Sequence, residues 1–164
     1  MTREQGLGIG DWGLVGAFAI ASFTGACAPA PATNKTPAAG TEMSRAVIDP
    51  YLKIQASLAD DNMDHVKAGA GEVATAAAAL GAPAMKIDTT AIQLASAVEI
   101  GDARDKFGAL SQAIDAYMTG LKLTPPAGVK VAVCPMVQKP WMQAEADIRN
   151  PYFGKEMLTC GSFR

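Results

Sequence analysis

Histidine and cysteine are scarce in these 164 residues: there is one histidine, His65, and three cysteines, Cys27, Cys134 and Cys160. A single histidine permits one Ser-His or Cys-His dyad at most, and nothing around His65 has nucleophile-elbow character. Neither an HExxH helix nor a glycine-rich phosphate loop is present. The carboxylates fall mainly where helices are expected to begin, and capping accounts for them. An enzyme is therefore the weakest class, and the chain reads as non-catalytic. His65 itself is expected to be a solvated surface residue, because one histidine rarely makes a metal site alone.

Long apolar runs are also missing. The stretch from Trp12 to Phe23 is shorter than the roughly 20 residues that cross a bilayer. It is followed by Thr24-Gly25-Ala26-Cys27, in which small residues precede a cysteine as in the lipobox of bacterial lipoproteins. Residues 1–27 are accordingly expected to be a signal peptide ending in a lipidated Cys27, with ordinary cleavage near Ala26 or Ala28 as the alternative. Ala28, rather than aspartate, follows the cysteine, which resembles outer-membrane sorting. The expected location is the bacterial cell envelope on the periplasmic side. Residues 28–42 are rich in Ala, Pro and Thr, carry almost no large apolar side chain, and read as a disordered tether. Beyond residue 27 there are 13 basic and 14 acidic residues, so no basic patch argues for nucleic acid and no charge block for a solvated tail.

The remaining chain, 43–164, is one domain's worth. Val66, Ala70, Val73, Ala77 and Leu80 recur at helical spacing, preceded by the cap candidates Asp61 and Asp64 and stopped by Gly81-Ala82-Pro83. Phe107, Leu110, Ile114, Tyr117 and Leu121 repeat the stripe between an Asp102 cap and Thr124-Pro125-Pro126. A third helix is expected to open at Asp88 and carry Ile92, Leu94, Ala95 and Val98 to Gly101. The first covers Tyr51, Ile54 and Leu58, starting at Ser44 or at an Asp49 cap with Pro50 as its first residue. The predicted fold is mainly α, an up-down four-helix bundle followed by a short C-terminal β-hairpin and a long loop.

The last thirty-odd residues concentrate the sulfur: Cys134 and Cys160 with Met136, Met142 and Met157. Val129, Val131 and Val133 alternate with Lys130 and Ala132 as in a short strand, which puts Cys134 and Met136 on one side of an extended chain. Met157 to Phe163 is expected to pair with it antiparallel, bringing Cys134 and Cys160 close and leaving a long loop between them. Asn150-Pro151 imposes an extended or turn conformation at Asn150, and Gly154 can supply a positive φ. In an exported protein the two cysteines are expected to pair as a disulfide, worth about 3 to 4 kcal/mol in the chain-entropy model. The alternative makes them thiolate ligands for Cu(I) or Ag(I) beside Met136, Met142 or Met157, since soft donors select soft ions. Trp141, Tyr152 and Phe153 are expected to cover the end of the bundle.

The residues Cys134-Pro135-Met136, Trp141, Ile148-Arg149-Asn150-Pro151-Tyr152-Phe153-Gly154 and Met157-Leu158-Thr159-Cys160-Gly161 resemble the C-terminal signature of a domain-of-unknown-function family. Its members occur alone in the bacterial envelope or fused to periplasmic adaptor subunits of heavy-metal (copper and silver) efflux systems. The resemblance covers about 43–164 and implies a helical domain that handles metal, with an efflux adaptor or another envelope protein as partner. Many members carry a histidine on the third helix; the segment Thr89 to Val98 has none, so a mixed His and sulfur site is not implied there.

Two functions from different classes follow: a soft-metal-binding envelope protein, or a structural and interaction module stapled by Cys134 and Cys160. Anchoring is testable from the leader alone. The mature protein should partition with membranes, and Cys27→Ser should release it or block its processing; equal membrane recovery with normal processing of both forms would remove the lipoprotein assignment.

Overall fold

A computed structural model of the chain describes residues 41–164; the expected leader, Cys27 and most of the expected tether lie outside them. Among the described residues the protein is mainly helical, with four α-helices followed by a small antiparallel sheet. The helices are α1 (Arg45–Ala59), α2 (Val66–Ala79), α3 (Met85–Ala95) and α4 (Ile100–Leu121). The strands β1 (Lys130–Cys134), β2 (Lys139–Gln143) and β3 (Ser162–Phe163) lie in the order β2-β1-β3. Thr41 and Glu42, at the end of the expected tether, are held to the domain: the Thr124 N–H donates to the Thr41 carbonyl, and Glu42 bridges to Thr124.

The expected stripes are largely the buried faces. Val66, Ala70, Val73 and Ala77 of α2 are buried, as are Phe107, Leu110 and Ile114 of α4. Leu80 and Tyr117 are only half-buried, and Leu121 is exposed at the helix end, where Lys122 takes a left-handed conformation. Helix α1 starts after Ser44 and continues through Pro50, which removes one hydrogen bond without ending the helix. Asp61 and Asp64 do not cap α2. His65 occupies that position without a side-chain cap, and the Asp61 carboxylate is engaged elsewhere.

Helix α3 differs most from expectation. It begins at Met85, with Asp88 in its first turn, and it buries Ile87, Thr90, Ala91 and Leu94. Ile92 and Val98 are 57% and 88% exposed. The physical reason is phase: at roughly 100° per residue, Ile92 lies about 140° around the axis from Ile87, whereas Leu94 returns to the same face. Of the expected stripe, Leu94 is buried and Ala95 half-buried, and only Ile92 and Val98 face solvent. Helix α4 likewise begins at Ile100, with Glu99 rather than Asp102 as the capping residue.

Consecutive helices pack against one another, and the first meets the last through side chains. Tyr51 of α1 stacks on Phe107 of α4 with ring centroids 4.9 Å apart, and its hydroxyl lies 2.7 Å from Ser111 Oγ. Helices α1 and α4 both pack against β2.

The sheet corrects the expected long loop. Strand β1 does pair antiparallel with the C-terminal segment, Ala132 with Phe163 and Val133 with Ser162. Within the supposed loop, however, β2 forms a hairpin with β1, from Lys130 opposite Gln143 to Cys134 opposite Lys139. Pro140 lies inside β2, although proline cannot donate to a ladder. β2 is an edge strand, so the missing donor falls on its outer side. Two buried tyrosines close that side: the Tyr152 hydroxyl donates to the Pro140 carbonyl, and the Met142 N–H donates to Tyr51 Oη at 3.2 Å.

Leu110 is fully buried among the helices. Leu110→Ala should lower the unfolding free energy by about 2 to 5 kcal/mol, read from urea denaturation; a loss within the error of the method would place Leu110 outside the core.

Candidate functional site

The site grows from the inner face of β1. Ala132 and Cys134 are buried while Val131 and Val133 are half-buried, the alternation of a strand with one covered face. Trp141, opposite Ala132, shares that face and is fully buried. Its indole N–H donates to Gln143 Oε1 at 2.9 Å. That oxygen also accepts from the Arg149 N–H at 3.0 Å, while Gln143 Nε2 donates to the carbonyls of Glu145 and Asp147. One buried carboxamide thus satisfies the backbone of the turn that leads into Arg149-Asn150-Pro151.

Asn150 does the same for the next turn, and it reaches the cysteines. It is fully buried. Its Nδ2 donates to the Cys160 carbonyl at 2.7 Å and to Cys134 Sγ at 3.3 Å, and its Oδ1 accepts from the Tyr152 N–H at 2.8 Å. Its backbone N–H donates to the Leu158 carbonyl at 2.7 Å, and its carbonyl accepts from the Gly154 N–H. The aromatic residues close the site: Tyr152 meets Trp141 edge-on at 5.9 Å and lies 6.1 Å from Phe107. Burial pushes the Tyr51 and Tyr152 hydroxyls well above the ordinary tyrosine range, so both stay neutral donors and acceptors.

Ion pairs hold the rim of this cluster to the helices. Arg104 Nε donates to the Pro151 carbonyl at 3.1 Å; its Nη2 donates to the Leu58 carbonyl and, at 2.5 Å, to Asp61 Oδ1. The Arg104 guanidinium hydrogen-bonded to Asp61 holds that carboxyl below its usual range, against a smaller opposing effect of desolvation, and the Lys155 N–H adds to the lowering. Arg149 pairs with Asp60, and its carbonyl accepts from Gln55 Nε2 at 2.7 Å. Gly154 sits with φ 58° against the Arg104–Asp61 pair, where a Cβ would come 1.9 Å from Asp61 Oδ1. Gly161 likewise admits the Trp141 ring, 2.5 Å from where its Cβ would stand.

Cys134 and Cys160 are both free thiols, the first buried and the second half-buried. Their segments meet at Asn150. Continuing the β1–β3 register by one residue sets Gly161 opposite Cys134, with Cys160 one position further on. The Cys160 N–H donates to the Met157 carbonyl at 3.0 Å, so Met157, half-buried, shares a turn with Cys160. Met142 is buried opposite Val131, on the other face of the hairpin from Cys134. Met136 is 63% exposed at the hairpin tip, past the end of β1. The extended run that was to align Cys134 with Met136 stops at Cys134, because the chain turns there. His65 is exposed in the α1–α2 connection. Among the described residues, no group of three or more His, Cys, Asp or Glu side chains gathers as a metal site.

Sequence patterning singled out the sulfur and passed over the amides. Gln143 and Asn150 are polar residues inside an aromatic-rich segment, and Asn150 drew notice only as the residue before a proline. Comparison of the chain with protein-family models, with curated proteins and with solved structures finds no match. Among the described residues, no helix is long and apolar enough to cross a membrane.

Replacing Asn150 by alanine leaves the Cys160 carbonyl and the Tyr152 N–H without partners. Each unsatisfied buried group costs about 1 to 3 kcal/mol. Asn150→Ala should lower stability by about 2 to 4 kcal/mol in urea denaturation and make Cys134 reactive to a thiol probe in the native state; unchanged stability and reactivity would deny Asn150 its role as the clasp.

Proposed function

We propose that this chain is an exported, lipid-anchored protein of the bacterial cell envelope that binds a soft metal ion, Cu(I) or Ag(I), in support of metal tolerance or efflux. One observation carries the proposal: two unbonded thiols belong to segments that a single buried carboxamide draws together. Thiolates select Cu(I) and Ag(I), and the Cys134 and Cys160 pair supplies the donors of a two-thiolate site, with the Met157 thioether as the neighbouring third. Met136 and Met142 belong to the proposed ligand set only if the hairpin rearranges. No carboxylate cluster among the described residues competes for Mg or Ca.

The envelope location rests on the lipobox-like end of the leader at Cys27, and the outer membrane is the proposed anchorage. Membership of the signature family is part of the same proposal, as is a partner of the efflux-adaptor or envelope class; a near-neutral domain offers nucleic acid no basic surface. The domain is proposed to be non-catalytic, and its helices to form an up-down-up-down bundle, supported by consecutive packing and by the Tyr51–Phe107 stack.

A second hypothesis is favoured by a separate observation. Cys134 is fully buried, and Trp141, Arg149, Asn150, Tyr152, Gly154 and Gly161 all make contacts that hold the fold. On that ground the signature is a structural and interaction module in which Cys134 and Cys160 form a disulfide staple after export.

A competition titration with a Cu(I) chelator separates the two. Reduced wild type should withhold copper from the chelator at stoichiometric protein, and the Cys134→Ser, Cys160→Ser double variant should not. Superimposed curves would remove the metal role and leave the stapled module.

A further inference from the structure

The two thiols of the proposed metal site differ in what surrounds them. Cys134 is fully buried at the end of β1, on the face it shares with Ala132 and Trp141, which are fully buried as well. Its Sγ accepts a hydrogen bond from Asn150 Nδ2 at 3.3 Å. Cys160 is half-buried in an irregular segment, with Thr159 before it and Ser162 after Gly161 both exposed. The same Asn150 amide reaches Cys160 at its carbonyl, and the Cys160 N–H donates to the Met157 carbonyl. At Cys134 the clasp therefore holds the sulfur, whereas at Cys160 it holds the backbone.

Charge decides what each sulfur can do when a bound ion departs. A thiolate stripped of its cation is an anion, and an anion left in a dry interior costs far more than one at the surface unless a proton replaces the cation. One hydrogen bond from a neutral amide offsets only part of that cost. Cys160 borders solvent, where a proton is at hand. Cys134 does not, so its bond to the ion is the harder of the two to break.

We propose that the ion is handed on by ligand exchange from the Cys160 side, with Cys160 the first protein ligand to let go and Cys134 the last. The inference rests on the soft-metal reading above and adds to it the order of the steps and the chemistry of the partner. An acceptor thiol approaches the half-buried side and gives its proton to water as its sulfur bonds to the ion. The bond from the ion to Cys160 Sγ breaks, and that sulfur takes a proton from water. A second acceptor thiol then displaces Cys134 in the same way, and Cys134 returns to the neutral thiol that Asn150 holds. Two acceptor thiols lose two protons, the two cysteines gain two, and the ion keeps its oxidation state throughout. The matching partner presents soft sulfur donors, cysteine thiolates above all, since only these compete with two thiolates for Cu(I) or Ag(I).

The test uses the full chain carrying Cys27→Ser, which leaves Cys134 and Cys160 as its two cysteines, reduced and loaded anaerobically with one equivalent of Cu(I). Copper is withdrawn with the coloured chelator bicinchoninate while iodoacetamide alkylates each thiol as it is released, and peptide mass spectrometry locates the label. Singly labelled protein should carry the label at Cys160 about tenfold or more often than at Cys134. The rate of copper transfer, followed by absorbance, should rise in proportion to chelator concentration, because the incoming ligand takes part in the exchange. Equal labelling, label at Cys134 first, or a transfer rate independent of the chelator would overturn the exchange order while leaving the copper site in place. Protein that takes up no Cu(I) would overturn the metal reading and this inference together.

Discussion

The Asn150 carboxamide is the contact on which the C-terminal third depends. A buried amide has two donors and one acceptor to satisfy, and Asn150 places all three within one turn of chain and its neighbours. Because its Nδ2 touches both the strand that ends at Cys134 and the turn that ends at Cys160, it sets the separation of those segments. Gln143 repeats the device one turn earlier, with Trp141 as an additional donor. Between them, two carboxamides do for residues 144–160 what ladders and helices do elsewhere: they give backbone polar groups a partner away from water. A segment with little regular structure can be buried on those terms.

A second constraint ties this segment to the helices. An edge strand exposes unpaired backbone groups that invite further pairing. In β2 those groups bond to Tyr51 and Tyr152, and the ring of each packs against Phe107. The tyrosines serve twice, as core aromatics and as hydrogen-bond partners, which burial favours by keeping both hydroxyls protonated. The Arg104–Asp61 and Arg149–Asp60 pairs then hold the rim of the loop to the end of α1.

Periodicity made the helical part legible wherever one stripe dominated. In α2 and α4 the apolar residues repeat at three and four without interruption, and those from Val66 to Ala77 and from Phe107 to Ile114 are core. In α3 two stripes compete, Ile87-Ala91-Leu94 and Met85-Ile92, and composition does not choose between them. The choice fell to α2 and α4, which cover the Ile87 side and leave Ile92 to solvent. Strand β2 tolerates Pro140 because its nitrogen faces the open edge and not a neighbouring strand.

The sequence by itself determined what local chemistry can determine: helices where apolar residues recur, a short strand through Val129, Val131 and Val133, a turn at Asn150-Pro151, and sulfur gathered near the end of the chain. These follow from backbone sterics and from side-chain spacing, which act over a few residues. Tertiary structure alone decided which face of α3 is buried, that Lys139–Gln143 is a strand, that Asp61 binds Arg104 instead of capping α2, and that Met136 and Met142 lie apart from Cys134. Each of those outcomes turns on partners distant in sequence, whose approach is set by packing of the whole domain and leaves no local period to read.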